Sequence, residues 1–523
     1  MSSKTICTNS IHSIKLLTQK NSGSTNKNAI YSKYHKYIST LSNHFVKSQH
    51  TLLTHLFHIK NNTSFTISFN EISLDTTDSA SSSSRYTIPK FIDIFRYLLS
   101  INEFINSFTL TEQTILKDKL SSTKTKEECY TFLNASSGVN SSLAQKILTV
   151  YNSITSNTTI LNDLNTKFPS LTFHNLLINS FTSYKILEDL ELNIKKVIIF
   201  SAQWKDTKLD NFLYLFMYDN HKHNNLSGSE QIKTIGTEII KRILFFNEFL
   251  NIKTHPDKFI VFFTNNKKEI DKELINHIHF KTINVNSAVT NGRDIIIYRE
   301  QELLKSIFHE SIHFYNLDFR TIPDSIIKYL IKTHNIDEHN DYLLYECVTE
   351  TLANILNNIY YSGTLKEFTL NLVNEIMFST LQVSKILKVC KYKNWSDFSY
   401  KDSSSMSNTK PHSKKFKQDS CVFSYYILKL YIMIHLEPYF KTNLDNKLKF
   451  IQTEHSFNNL IKIFDASRNN LQLIHIMNSI LKGLNKKTKA SIKTKHIHKS
   501  TSKINNTLRM TCLESSLVEK NSI

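Results

Sequence analysis

Residues 29–190 carry apolar clusters at helical spacing, broken by polar stretches such as DSASSSSR (78–85) and NASSGVNSS (134–142). Side chains three and four apart share one face of a helix, so a mostly helical N-terminal region is expected there. Near residue 195 the texture changes. KKVIIFSAQW (195–204) and NFLYLFMYD (211–219) are rich in β-branched and aromatic residues between polar turns, as strands are. SEQIKTIGTEIIKRILFFNEFLNI (229–252) returns to a helical apolar face, opened by a serine suited to cap it. KFIVFFTNN (258–266) reads as another strand. KTINVNSAVT (281–290) and RDIIIYR (293–299) read as two more, joined at Asn291-Gly292, the dipeptide that most favours tight hairpins.

A helix is expected immediately afterwards, in REQELLKSIFHESIHFYNLDFR (299–320), where Leu303, Leu304, Ile307, Phe308 and Ile312 keep helical spacing. From there the pattern stays helical, over roughly 323–335, 341–360, 365–392, 420–437, 456–465 and 469–484. The polar, basic KDSSSMSNTKPHSKKFKQDS (401–420) interrupts it as a loop. The expectation is an α+β protein: a disordered N-terminus (1–28), a helical region (29–190), a small mixed sheet with its helix (195–320), a helical C-terminal region (321–484) and a basic disordered tail (485–523).

Composition narrows this picture. Hydrophobic residues are 40% of the 523 positions and aromatics 11%, enough for a sizeable core. The net charge of +19 is concentrated: Lys482 to Arg509 holds nine Lys and Arg residues and no acidic one. Such a tail is either a solvated end or a weak contact for nucleic acid. The six cysteines (Cys7, Cys129, Cys347, Cys390, Cys421 and Cys512) form no C-x-x-C pair and suit free thiols in a reducing compartment. The first residues lack the continuous apolar segment of a signal peptide. The most apolar run, CVFSYYILKLYIMIHLEPYF (421–440), is broken by Lys429 and His435. A buried helix explains it better than a membrane span, so a cytoplasmic protein is expected.

The candidate chemistry lies in His309-Glu310-Ser311-Ile312-His313, which fits H-E-x-x-H. Histidines at i and i+4 stack on one helical face and can both reach one metal ion. A glutamate directly after the first can take a proton from a water held there. The five-residue pattern is weak alone, but DYLLYECVTETLANILNNIYY (341–361) supplies Glu346 and Glu350 on one face of a second expected helix. Two histidines and one carboxylate leave the fourth zinc position open, the arrangement of a catalytic site. Glu346 is the expected third ligand, with Glu350 bracing a histidine or replacing Glu346. Asp318 is positioned either to orient a histidine or simply to end the helix, and Cys347 to fill core. NVNSAVT (284–290) is the expected edge strand, to which an extended peptide can add by main-chain hydrogen bonds. The histidine pairs at 221–223, 277–279 and 496–498 have no third ligand nearby in sequence.

With HESIH followed by ECVTE, the chain resembles the zincin metallopeptidases, specifically the gluzincin branch, in which H-E-x-x-H precedes a second helix reading E-x-x-x-D or E-x-x-x-E. The resemblance covers roughly residues 195–360. It implies a zincin-like fold, zinc held by His309, His313 and Glu346, and peptide hydrolysis with Glu310 as general base. The stretch from VNSAVT to HESIH is also similar to uncharacterised metallopeptidases of large DNA viruses, which would place the protein in host cytoplasm or virion. No glycine follows His313 at metzincin spacing. A downstream histidine or tyrosine stabilises the oxyanion in many zincins, and Tyr342, Tyr345, Tyr360 and His339 are the candidates here. The competing function class is a non-catalytic protein, structural or nucleic-acid-associated, whose zincin-like fold scaffolds the basic tail.

Overall fold

The computed structural model describes residues 4–19, 29–74, 90–135, 138–168, 178, 182–218, 229–264, 266–340, 342–400, 415–490 and 506–513. It is an α+β structure built on one mixed sheet. The strands are β1 (Thr66–Ser73), β2 (Ile194–Trp204), β3 (Thr207–Tyr218), β4 (Phe259–Phe262), β5 (His279–Phe280), β6 (Ala288–Thr290), β7 (Ile295–Ile297) and β8 (Lys417–Gln418). Six of them form the order β1-β2-β3-β4-β7-β6, while β5 and β8 pair separately. β2 runs antiparallel to both of its neighbours, β1 and β3. Helix Ser229–Leu250 then crosses from β3 to the parallel β4, β7 continues parallel, and β6 turns back to close the sheet as an edge.

Alternation along these strands sorts their side chains onto two faces. Val197, Ile199, Tyr214, Phe216, Ile260, Phe262 and Ile296 join a core with the helices of residues 91–190. Ile198, Phe200, Leu213, Leu215, Phe259, Val261, Ile295 and Ile297 face the opposite way, against helix Ser229–Leu250 and against Leu303, Leu304 and Ile307. Both faces are covered, which is why the central strands read as unbroken apolar runs such as FIVF and III. Gly236 sits where helix Ser229–Leu250 meets β2: a Cβ there would run into the ring of Phe200. The third core unites the C-terminal helices with Phe308 and Ile312. Helix Leu303–Phe314, which carries the H-E-x-x-H motif, therefore lies at the seam between sheet and helical body.

Four expectations need correction. Residues 4–19 are helical rather than disordered: Ile14 and Leu17 are fully buried in the third core. The region 29–190 is not one helical unit. It contains β1, and its helices Ala29–Ser48 and His50–Asn62 pack with the C-terminal body, where the Tyr34 hydroxyl meets Thr380 Oγ1 at 2.9 Å. The hairpin keeps its turn, with Gly292 at φ +85° and Asn291 Oδ1 accepting from the Arg293 and Asp294 amides. Its first strand, however, is only Ala288–Thr290, because Thr282–Val285 closes into a helical turn. Finally, the tail is not uniformly disordered. Helix Leu471–Ala490 runs into it, and residues 506–513 are largely buried, from Leu508 to Leu513 almost completely. Residues 491–505, 514–523 and most of 401–420 lie outside the described residues.

No helix among the described residues is long and apolar enough to cross a membrane. The 421–440 run is core, as its interruptions imply: a π-helical turn (Phe423–Leu428) leading into Lys429–Met433.

Candidate metal centre

Helix Leu303–Phe314 turns His309 and His313 toward helix Tyr345–Tyr361, and Glu346 in the first turn of that second helix meets them. The three ligand atoms form a near-equilateral triangle. His309 Nε2 and His313 Nε2 are 3.2 Å apart. Glu346 Oε2 lies 3.2 Å from the first and 3.3 Å from the second. A tetrahedral ion with bonds of about 2.0–2.1 Å holds its ligand atoms about 3.3 Å from one another, so a single ion fits this spacing. His309, His313 and Glu346 are the one such group among the described residues. Glu346 Oε2 is buried, and its close polar neighbours are the two imidazole Nε2 atoms of the triangle.

Behind each imidazole stands a buried carboxylate. Glu350 Oε2 is 2.9 Å from Nδ1 of His309, and Asp318 Oδ2 is 2.7 Å from Nδ1 of His313. Each Nδ1–H donating to its carboxylate leaves Nε2 as the lone-pair atom, which fixes tautomer and ring orientation together. Glu350 therefore lies behind His309 and outside the triangle. Its oxygens are taken by Lys305 Nζ, 2.8 Å from both, by His309 and by Asn354 Nδ2 at 3.1 Å. Asp318 orients His313, and Thr349 Oγ1 at 3.4 Å adds a contact to the same oxygen.

The charges of the group are mutually dependent. Burial pulls the His313 imidazolium down, but Glu346 and Asp318 outweigh it and raise its pKa to about 10. Burial would raise Glu346, yet the two histidines hold it down at about 2. Three carboxylates and two imidazoles packed this tightly call for positive charge, from protons or from a cation. Glu310 behaves differently. It is buried beside both histidines and Glu346, and desolvation lifts its carboxyl above the ordinary range, the direction a general base requires.

Comparison with protein-family models, curated proteins and solved structures returns no match. What the site can do is therefore read from its own groups.

Two tyrosines flank the triangle. The Tyr345 ring lies 5.8 Å from that of His313, and the Tyr425 ring 5.9 Å from that of His309. Burial, with the nearby charges of Glu346 and Glu310, raises the Tyr425 phenol well above its usual value, so it stays a hydrogen-bond donor. Tyr425 arrives on the π-helical turn Phe423–Leu428, a local widening that often re-aims side chains at functional sites. Nothing in the sequence marks it, because it sits within a run that reads as ordinary core. Of the four residues expected at this position only Tyr345 is beside the site. Tyr342 bonds the Asp337 carbonyl, Tyr360 bonds that of Lys241, and the His339 amide donates to Asp337. Cys347 is fully buried in the helical core. His279 pairs with Asp419 at 2.6 Å, and neither it nor His277 belongs to a metal-ligating group.

Proposed function

We propose that the chain is a zinc-dependent metallopeptidase of zincin-like architecture. The observation that carries this reading is the 3.2–3.3 Å triangle of His309 Nε2, His313 Nε2 and Glu346 Oε2, with a buried carboxylate behind each imidazole. Two imidazoles and one carboxylate suit zinc, and three protein ligands keep one position open for catalysis. A bound zinc ion would supply Lewis acidity, polarising a substrate carbonyl and lowering the pKa of a water molecule.

The remaining steps belong to the chain. Glu310, raised by its buried setting, takes the proton from the attacking water and passes it to the departing amine. The Tyr425 phenol, or Tyr345 beside His313, donates to the developing oxyanion. β6, a three-residue strand directly ahead of the turn into β7, is an edge of the sheet among the described residues and would offer main-chain groups to an extended peptide. Glu310 is the feature that separates an enzyme from a scaffold, since metal binding alone has no need of it.

Elemental analysis of the purified chain is expected to give one zinc per molecule. Glu310→Gln keeps that zinc and loses peptide hydrolysis, His313→Ala loses the zinc, and Tyr425→Phe keeps the zinc with turnover reduced by about 10²–10³-fold. Full hydrolytic activity in Glu310→Gln would sink the mechanism.

A further inference from the structure

The segment Asn506–Leu513 (NTLRMTCL) follows a basic stretch and reads as part of a tail, yet Leu508, Thr511 and Cys512 have no exposed surface. It enters as an extended strap whose main chain is met largely by side chains of the body. Glu302 accepts the Met510 and Thr511 amides at 2.6 and 2.7 Å. Glu375 accepts those of Cys512 and Leu513 at 2.9 and 3.1 Å. Lys385 Nζ donates to the Thr507 carbonyl at 2.6 Å, Gln382 to that of Arg509 at 2.6 Å and Lys429 to that of Met510 at 2.8 Å. All of these side chains are buried. Buried carboxylates and ammonium groups are costly unless their hydrogen-bonding capacity is met, and the strap supplies those partners.

The same contacts reach the metal centre. Glu302 is the residue that opens the metal helix, and it holds a left-handed φ of +63° that few side chains adopt. Its carboxylate is fixed by Lys268 at 2.8 Å as well as by the strap. Met510 Sδ lies 3.7 Å from Lys305 Nζ, Lys305 holds Glu350, and Glu350 holds His309 Nδ1. Strained backbone at the entry to a site persists where its surroundings over-determine it, and here the strap is part of those surroundings.

We propose that the strap Asn506–Leu513 is a positioning element of the metal site: by clamping Glu302 and Lys305 it sets the start of the metal helix and the Glu350 brace, so that strap docking and metal binding strengthen each other. This rests on the metal-site reading above. Coupling of this kind is reciprocal by thermodynamic necessity, which gives two independent readouts in the full chain. Zinc affinity, measured by competition with a chromophoric chelator well below the melting temperature, is expected to weaken by about 10–100-fold in Thr511→Pro and in Met510→Ala, as for loss of a ligand's outer partners. Amide hydrogen exchange over 506–513 is expected to slow when zinc is added and to quicken in His309→Ala. A strap with a purely structural role would lower melting temperature in these variants but leave zinc affinity unchanged and strap exchange indifferent to zinc; that result would overturn the proposal. Should the wild-type chain take up no zinc, the metal reading falls, and the exchange rate in metal-free His309→Ala alone decides the coupling: quicker supports it, unchanged overturns it.

Discussion

His309 and His313 sit closer together than two charged imidazoles would choose, and the residues around them explain why the arrangement holds. Glu346 lies between their Nε2 atoms, while Glu350 and Asp318 each take an Nδ1. Glu346 and Asp318 raise the His313 pKa to about 10, above its ordinary 6.5. A histidine raised in this way adds stability that is fully present below pH 6.5 and is lost as pH rises toward 10. On the proposed reading, zinc would have to displace that proton, so its affinity should rise across the same window, by about tenfold per pH unit for each proton released. Thermal unfolding with and without zinc at pH 6.5 and 8.5 checks this: the zinc-induced rise in melting temperature should be larger at the higher pH, and a smaller rise would contradict the assignment of His313. The motif and its i, i+4 spacing made the meeting of both histidines with the Glu346/Glu350 helix legible in the sequence. They favoured Glu346 as the ligand but left Glu350 as an alternative, because the two share a helical face. What separates them is Lys305, one turn before His309, which claims Glu350 once both helices are packed. Its burial leaves no mark in the linear pattern, and the same is true of Tyr425.

At the level of elements, periodicity succeeded where an element buries a continuous face and failed where the apolar signal is brief. The central strands and helix Leu303–Phe314 announced themselves. β1 did not, because TISFNEIS alternates for only a few residues before Glu71 and Ser73. Helix Lys4–Gln19 was missed because Ile11, Ile14 and Leu17 make a short face in a polar setting. Its docking depends on the opposing chain: a Cβ at Gly483, on helix Leu471–Ala490, would run into the Leu17 carbonyl. Backbone cannot give way as a flexible side chain can. Gly483→Val is therefore expected to lower unfolding free energy by about 1–3 kcal/mol, the usual cost of overpacking, with helix Lys4–Gln19 displaced. Gly363→Ala is the control, since the nearest atom to its Cβ is the Glu367 carboxylate at 3.4 Å. Chemical denaturation of both variants checks the contrast; equal stability would mean that the first helix does not dock on that face.

Across the whole molecule the strap changes how the excess charge must be studied. The basic run from Lys482 to Arg509 ends inside the buried segment, and Arg509 itself is 4% exposed. Removing the C-terminus to look for a nucleic-acid contact would also strip Glu302 and Glu375 of their partners. Any loss of binding would then be confounded with damage to the core. Substitution is the cleaner route. Changing Lys493, Lys495, Lys499 and Lys503 to glutamine removes four charges between the last described helix and the strap while leaving both intact in sequence. Each phosphate neutralised on duplex DNA contributes about 0.9 to the slope of log affinity against log salt. If the basic run contacts DNA, the wild-type chain binds it with a steep salt dependence. The fourfold variant then loses up to about 3–4 from that slope, with a metal content equal to that of the wild type. A slope that is unchanged, or an affinity indifferent to salt in both proteins, would remove nucleic acid from the partners of this basic run.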